Sequence, residues 1–430
     1  MRTTGNFRLT SQGLQLGDTT LAEFCRQQAG GGPLYLYDFA WIEAQYRALD
    51  QALASHLPHG HQISYAMKAN DAIGVLKLLG GLGAGADIVS GGELDRALAA
   101  DIPADKIVFA GVGKTVAEIE QALIVGIQQF NVESLGELER IAAVAKRLEL
   151  VAPIALRTNP DVDAKTLAKI TTGTKANKFG LPLEEIPAIA ERVKADPNLE
   201  LVAVAMHIGS QITQIEPYDE AYRRMAQLVE RLQDQGHQLS RIDVGGGTGV
   251  DYGEGERAQN LSFDAFAQAV ATHLSRFELP ILVEPGRCMV AECGAMLSEV
   301  QYVKHSYGRR FAIVNGGMQT LIRPALYEAS HPIFAVDHGA DAAHSACDLV
   351  GPICESTDIF AKQIPLPDDL KPGDWIAILS AGAYGHVMAT QYNGHDLPAL
   401  WAWQDGQARL IRPAQGDTLL AQELALGLTA

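Results

Sequence analysis

Cysteine is scarce in this sequence: five in 430 residues, at Cys25, Cys288, Cys293, Cys347 and Cys354. The odd number and the lack of any Cys-x-x-Cys pair exclude a disulfide framework and point to reduced, buried thiols in a cytoplasmic protein. No apolar run is long enough to span a bilayer, and Met1 to Leu14 holds none of signal-peptide length, so no membrane partner is expected. Basic residues are in deficit, 34 Lys and Arg against 51 Asp and Glu, for a net charge of −17. That argues against nucleic acid, which wants a basic face. Internal repeats and low-complexity tracts are missing. No Gly-x-Gly-x-x-Gly follows the first strand to open a helix, which disfavours a dinucleotide site. His207 has no partners at metal-ligand spacing, so no metal is expected.

What is present is alternation. The chain is 47% hydrophobic, enough for sizeable cores. Leu34 to Tyr37 reads as a strand and Trp41 to Leu57 as an amphipathic helix. Strand patterns then fall at Gln62–Met67, Ala86–Val89, Lys106–Ala110, Gln129–Val132, Pro153–Thr158, Val202–Ile208, Arg241–Val244 and Pro280–Glu284. The first seven are each followed by a helix-like segment, such as Val116–Gly126 or Leu135–Leu148. Eight strands alternating with helices over about 230 residues have the rhythm of a (β/α)8 barrel, with a doubly wound open sheet as the alternative. After Glu284 the texture changes to Gly- and Pro-punctuated strands, at Leu297–Lys304, Phe311–Asn315, Cys347–Gly351, Trp375–Ser380, Leu400–Trp403 and Ala408–Ile411. Gln363 to Gly373 reads as a loop. The expected division is a barrel over 38–284 and a β-rich domain from 1–37 and 285–430.

The chemistry gathers at the C-terminal ends of the strands, where such barrels carry their sites. The first strand delivers Lys68 into a small-residue turn, and an amine held beside apolar walls has a disfavoured charge and can condense with a carbonyl cofactor. The sixth ends His207-Ile-Gly-Ser210. The seventh ends Gly245-Gly-Gly247, where successive backbone N–H groups can form an anion nest. The eighth ends Glu284-Pro-Gly-Arg287. Taken singly, each has a plainer reading: a snorkelling lysine, a core histidine, a tight turn, a buried ion pair. Together, an amine, a phosphate nest, a flat imidazole and a carboxylate are what pyridoxal phosphate requires, with the carboxylate keeping the ring nitrogen protonated.

These stretches resemble the fold type III pyridoxal-phosphate decarboxylases. Tyr65-Ala-Met-Lys-Ala-Asn70, His207-Ile-Gly-Ser-Gln211, Gly245-Gly-Gly247 and Glu284-Pro-Gly-Arg287 carry the likeness. Arg323-Pro-Ala-Leu-Tyr327 with His331, Gly351-Pro-Ile-Cys-Glu-Ser356, Gly382-Ala-Tyr-Gly385, Asp87-Ile-Val-Ser-Gly-Gly-Glu93 and Asn159-Pro-Asp-Val-Asp163 narrow it to the diaminopimelate decarboxylases, over about residues 30 to 415.

The resemblance implies an alanine-racemase-like barrel with a β-sandwich or barrel domain, in a homodimer that shares its active sites. It implies decarboxylation of meso-2,6-diaminopimelate to L-lysine, or of ornithine, arginine or carboxynorspermidine as the alternative. Lys68 would bind the cofactor covalently and His207 would stack on its ring. Ser210, Gly246, Gly247 and Gly286 would hold the phosphate. Glu284 would face the ring nitrogen and Tyr384 would border the cofactor. Arg287, which would also contact the cofactor, Arg323 and Tyr327 would grip the distal carboxylate, and Tyr384 would border the substrate as well. Cys354, the candidate proton donor, and Glu355 would reach in from the partner subunit. Asp87 and Arg157 would orient these groups. Arg323 and Tyr327 could instead be a plain i, i+4 helix pair, which Pro324 makes less comfortable. Thr248 and the Thr171 to Gly180 loop depart from the family pattern.

Overall fold

The computed structural model describes residues 4–162, 178–253 and 260–427. It divides into two compact units, Glu43–Val250 with Gln259–Cys288, and Met1–Ile42 with Asp251–Ala258 and Met289–Ala430.

The first unit is a closed barrel of eight parallel strands: His61–Ala66, Gly85–Ile88, Ile107–Phe109, Gln129–Val132, Ala152–Asn159, Leu199–Met206, Arg241–Asp243 and Ile281–Val283. The last pairs with the first through Ile281 and His61, Leu282 and Gln62, and Val283 and Ile63. The fourth pairs with the fifth through Phe130 and Ile154. Closure excludes the open sheet, a point that periodicity alone left undecided. Each expected strand is present, shifted by three residues or fewer at either end.

Short polar caps turn the strand ends into helices. Ser90 and Ser134 accept the Glu93 and Glu137 amides, each at 3.2 Å. Thr115 and Glu118 form a reciprocal capping box. Every such cap fixes the path of a loop at the C-terminal end of the barrel strands. The Thr171 to Gly180 stretch and Asp163 fall largely outside the described residues, which resume at Lys178.

The second unit is β-rich. Its central strand, Gly294–Ser306, pairs antiparallel with Leu34–Asp38 and Trp375–Ile378 through its first half and with Arg309–Val314 through its second. Phe7, Leu16, Leu36, Leu297, Trp375 and Trp403 are buried together in its core. The residues before Leu34, short and mixed in pattern, build a three-stranded sheet and the helix Leu21–Gln27. The expected loop from Gln363 is corrected: Ile359–Pro367 is a strand paired with His344–Val350. It is an outermost strand, where the N–H that proline lacks is not needed by a second neighbour.

Candidate active site

Lys68 lies in the single turn Met67–Ala69 that follows the first barrel strand. Its partner is an anion rather than the apolar wall expected: Nζ stands 3.2 Å from Oδ2 of the buried Asp87, at the end of the second strand. The other oxygen of Asp87 is buried with no hydrogen-bond partner among the described residues. A buried acceptor left open beside an amine has a bond to offer to a further group.

The seventh strand runs into the glycine turn. Gly245 has φ +67°, and a Cβ there would meet the Met206 carbonyl oxygen. A Cβ on Gly246 would strike the Glu284 carbonyl oxygen, so the turn threads between the sixth and eighth strand ends where only glycine fits. The Gly246 N–H donates to Nδ1 of His207 at 3.4 Å. Burial, Lys68 and Arg157 hold the His207 imidazole neutral, well below its usual titration range. Gly286 passes close to Ala66 and Ala69. Arg287 is buried and donates through Nη2 to Ser210 Oγ at 3.1 Å. Arg287, expected on both the cofactor and the substrate, thus stands with a residue expected on the phosphate.

Glu284 is buried, and its Oε1 accepts from Asn131 Nδ2 at 3.0 Å. Burial, then the Asp243 and Asp87 charges, push its carboxyl well above the usual range, against the pull of Lys68 and Arg157. Arg157 donates to Glu133 Oε1 at 3.0 Å. An amine, a neutral imidazole, a hydroxyl with a guanidinium, and a buried carboxyl are the donor set that a phosphorylated pyridine aldehyde needs.

Asn131, Glu133, Lys114 and Glu137 were not singled out from the sequence. The signal was available: Asn131 within the strand Gln129–Val132, and Glu133 directly after it, alternate with the apolar Phe130 and Val132 and so point to one face. Lys114 is buried and donates to Glu137 Oε1 at 2.6 Å and to the Gly111 and Asn131 carbonyls. Breaking such a pair leaves a buried charge alone. Lys114→Met is expected to destabilise the fold by about 3–5 kcal/mol, read as a lower denaturant midpoint at unchanged slope. A midpoint within error of the parent would mean that the site relaxes around Glu137.

The other expected residues belong to the β-rich unit. Arg323–Tyr327 is one helical turn with Pro324 at its start. The discomfort expected of Pro324 is corrected, because a first-turn proline gives up an N–H that has no partner within the helix. Arg323 is buried. Nη1 lies 2.9 Å from His331 Nε2, and the guanidinium stands 4.3 Å over the Tyr252 ring. His331 Nδ1 lies 2.8 Å from the Leu379 carbonyl, so it donates there and leaves Nε2 to accept from Arg323. Tyr384 has φ +56°, a conformation that bulky residues rarely adopt and that collects at ligand sites.

Four of the five cysteines are buried, and Cys354 is exposed. Glu355 accepts from the Tyr392 hydroxyl at 2.8 Å. Their loop is held by the buried carboxylate of Asp358, which accepts from Met318 N at 2.6 Å and from Ile353 N at 2.7 Å.

Residues 39–291 match the family model for the pyridoxal-dependent decarboxylase, pyridoxal binding domain. A diaminopimelate decarboxylase of Pseudomonas aeruginosa is 48% identical over 84% of this chain and 85% of its own. The crystal structure of diaminopimelate decarboxylase from Helicobacter pylori complexed with L-lysine matches with a TM-score of 0.88 and 41% identity, over 93% of this chain and 99% of that one. The M. jannaschii diaminopimelate decarboxylase in co-complex with L-lysine matches with a TM-score of 0.90 and 32% identity, over 98% of both chains.

Proposed function

The chain belongs to the pyridoxal-dependent decarboxylases, in their diaminopimelate decarboxylase branch, and from that premise we propose that it removes CO2 from meso-2,6-diaminopimelate and leaves L-lysine. The likeness to the P. aeruginosa enzyme over most of both chains carries the substrate assignment. Pyridoxal phosphate, when bound, supplies the electron sink that accepts the pair from the breaking C–C bond.

Lys68 tethers the cofactor through its amine, and Asp87 orients that amine. His207 offers a neutral, flat ring to the cofactor's face. The Gly245 to Gly247 turn, Gly286, Ser210 and Arg287 take the phosphate. Glu284 holds the proton on the ring nitrogen, and Tyr384 borders the ring. Arg323, fixed by His331 and Tyr252, offers its fork to the distal carboxylate together with Tyr327, and Glu355 offers a carboxylate to the distal ammonium. Cys354 carries the proton returned to the α-carbon, a task that suits a thiol near neutral pH. Its exposure in the single chain supports a role across a homodimer.

The test is CO2 release from meso-diaminopimelate, with L-ornithine, L-arginine and L-lysine alongside. Release from meso-diaminopimelate alone is expected, and preference for another substrate would remove the distal-carboxylate assignment. Mixing the Lys68→Ala and Cys354→Ala proteins is expected to restore up to about a quarter of parental activity if each site draws on both subunits of a symmetric dimer. No recovery after subunit exchange would place Cys354 in its own subunit's site.

Asp358→Ala leaves the buried Ile353 amide and the part-buried Met318 amide without acceptors, at about 1–3 kcal/mol for the buried one and less for the other. We expect faster proteolysis within 351–358 and a kcat about tenfold lower, with pyridoxal phosphate affinity unchanged. Unchanged kcat with a loosened loop would separate loop order from turnover.

A further inference from the structure

Barrel interiors normally fill with layers of Val, Ile and Leu. Here a polar chain crosses the inside, joining the fourth strand to the seventh and eighth, which are not its neighbours in the sheet. Arg241 Nη1 donates to Gln129 Oε1 at 3.0 Å. Gln129 Nε2 donates to Asn131 Oδ1 at 2.8 Å and to Asp243 Oδ2 at 3.0 Å. Asn131 Nδ2 donates to Asp243 Oδ2 at 3.1 Å and to Glu284 Oε1 at 3.0 Å. Asp243 Oδ1 accepts from the Gly245 N–H at 3.0 Å.

The direction of this chain is forced. A guanidinium only donates, so Gln129 must turn its oxygen to Arg241 and its NH2 inward. Asn131 must then turn its oxygen to Gln129 and its NH2 to the two carboxyl groups. Gln129, Asn131 and Asp243 are all buried. Burying such groups costs stability unless every bond is made, and apolar side chains would fill the space more cheaply.

We propose that Asn131 and Asp243 are positioning residues for the cofactor: Asn131 sets the orientation and charge of Glu284, and Asp243 ties that carboxylate to the glycine turn that receives the phosphate. This rests on the pyridoxal-phosphate reading of the site. The two residues act on Glu284 with opposite sign. The Asn131 N–H favours its charged form, whereas the Asp243 charge favours its protonated form. Asp87, Lys68 and Arg157 also face Glu284, and the variants leave all three in place. Asp243 itself is pushed up to about 6 by burial and the Asp87 charge, against the bonds from Gly245, Asn131 and Glu284.

The experiment strips the cofactor from the full chain and titrates it back with pyridoxal phosphate across the pH range. Affinity falls on the acid side once Glu284 keeps its own proton and no longer pairs with the protonated ring nitrogen. The midpoint of that fall reads Glu284 together with the Asp243 it is coupled to, without any turnover. Asn131→Leu is expected to move the midpoint up and weaken affinity by about tenfold at neutral pH, the loss of one hydrogen bond to a charged group. Asp243→Asn keeps an oxygen for the Gly245 N–H and is expected to move the midpoint down. General damage to the fold has no reason to move the two in opposite directions. Should Asn131→Leu fail to fold, Gln129→Leu, one bond further away, is expected to give a smaller upward shift. A midpoint that stays put in these variants, or moves the same way in Asn131→Leu and Asp243→Asn, overturns the proposal while the parent still binds. A parent that does not bind pyridoxal phosphate overturns the cofactor reading, and the proposal with it.

Discussion

Lys68→Ala is expected to lower kcat for CO2 release by about a thousandfold or more, and to abolish trapping of the cofactor on the chain by borohydride. The lysine is asked for the covalent tether, which fixes the place of the cofactor beside the groups that act with it. Holding a reacting group in place is worth effective molarities of about 10⁵ M or more, so losing the tether supports a loss on this scale. The geometry suits the task, because Nζ has a buried carboxylate 3.2 Å away to direct it. Losing the ammonium leaves Asp87 buried without its cation, so some stability is lost as well, and circular dichroism with a thermal scan separates that loss from the catalytic one. Added methylamine, a small replacement amine, is expected to recover a fraction of the rate. Retention of most of the activity in Lys68→Ala would move the tether to another amine.

The barrel was legible because its signals are local and repeated. An apolar run of fixed length, a polar cap and an amphipathic helix recur around the chain, and each needs only a few adjacent residues to be read. Closure was not legible in the same way, since the pairing of Ile281 with His61 joins residues far apart in sequence. The strand ends disclosed Lys68, His207, Glu284 and the glycine turn, because such polar or flexible residues after apolar runs are conspicuous. What supports them was harder to see. Asn131 looks like any polar residue in a strand until the barrel closes and brings Asp243 and Glu284 within reach of its amide. Asp358 looks like a loop aspartate until its two oxygens are found on the Met318 and Ile353 amides. The strand at Ile359–Pro367 was hidden by Pro365 and Pro367, whose meaning depends on whether a second neighbour exists.

Glu284→Gln is expected to cost on the order of 10²–10³ in kcat, the scale set by removing one preorganised electrostatic partner of a reacting group. Glutamine keeps the size of the side chain but cannot balance a protonated ring nitrogen, so the electron sink weakens. KM is expected to change little, because the place proposed for Glu284 is at the ring nitrogen rather than at the distal end of the substrate. The same substitution has a second expected effect, on stability. In the chain without cofactor, burial and the Asp243 charge raise the Glu284 carboxyl well above 4.5. The folded state therefore binds a proton more tightly than the unfolded state. Between the unfolded value and the raised folded one, stability falls as pH rises, because the fold must either keep that proton or bury a charge. Glutamine removes this decline. The cofactor-free variant should match its parent in acid, below the ordinary carboxylate range, and exceed it increasingly toward neutral pH. Slow turnover joined to a pH-dependent gain in melting temperature is the pattern of a carboxylate kept for chemistry at the expense of the fold. A variant that is slow and no more stable at any pH would instead assign Glu284 a structural role in holding the barrel end.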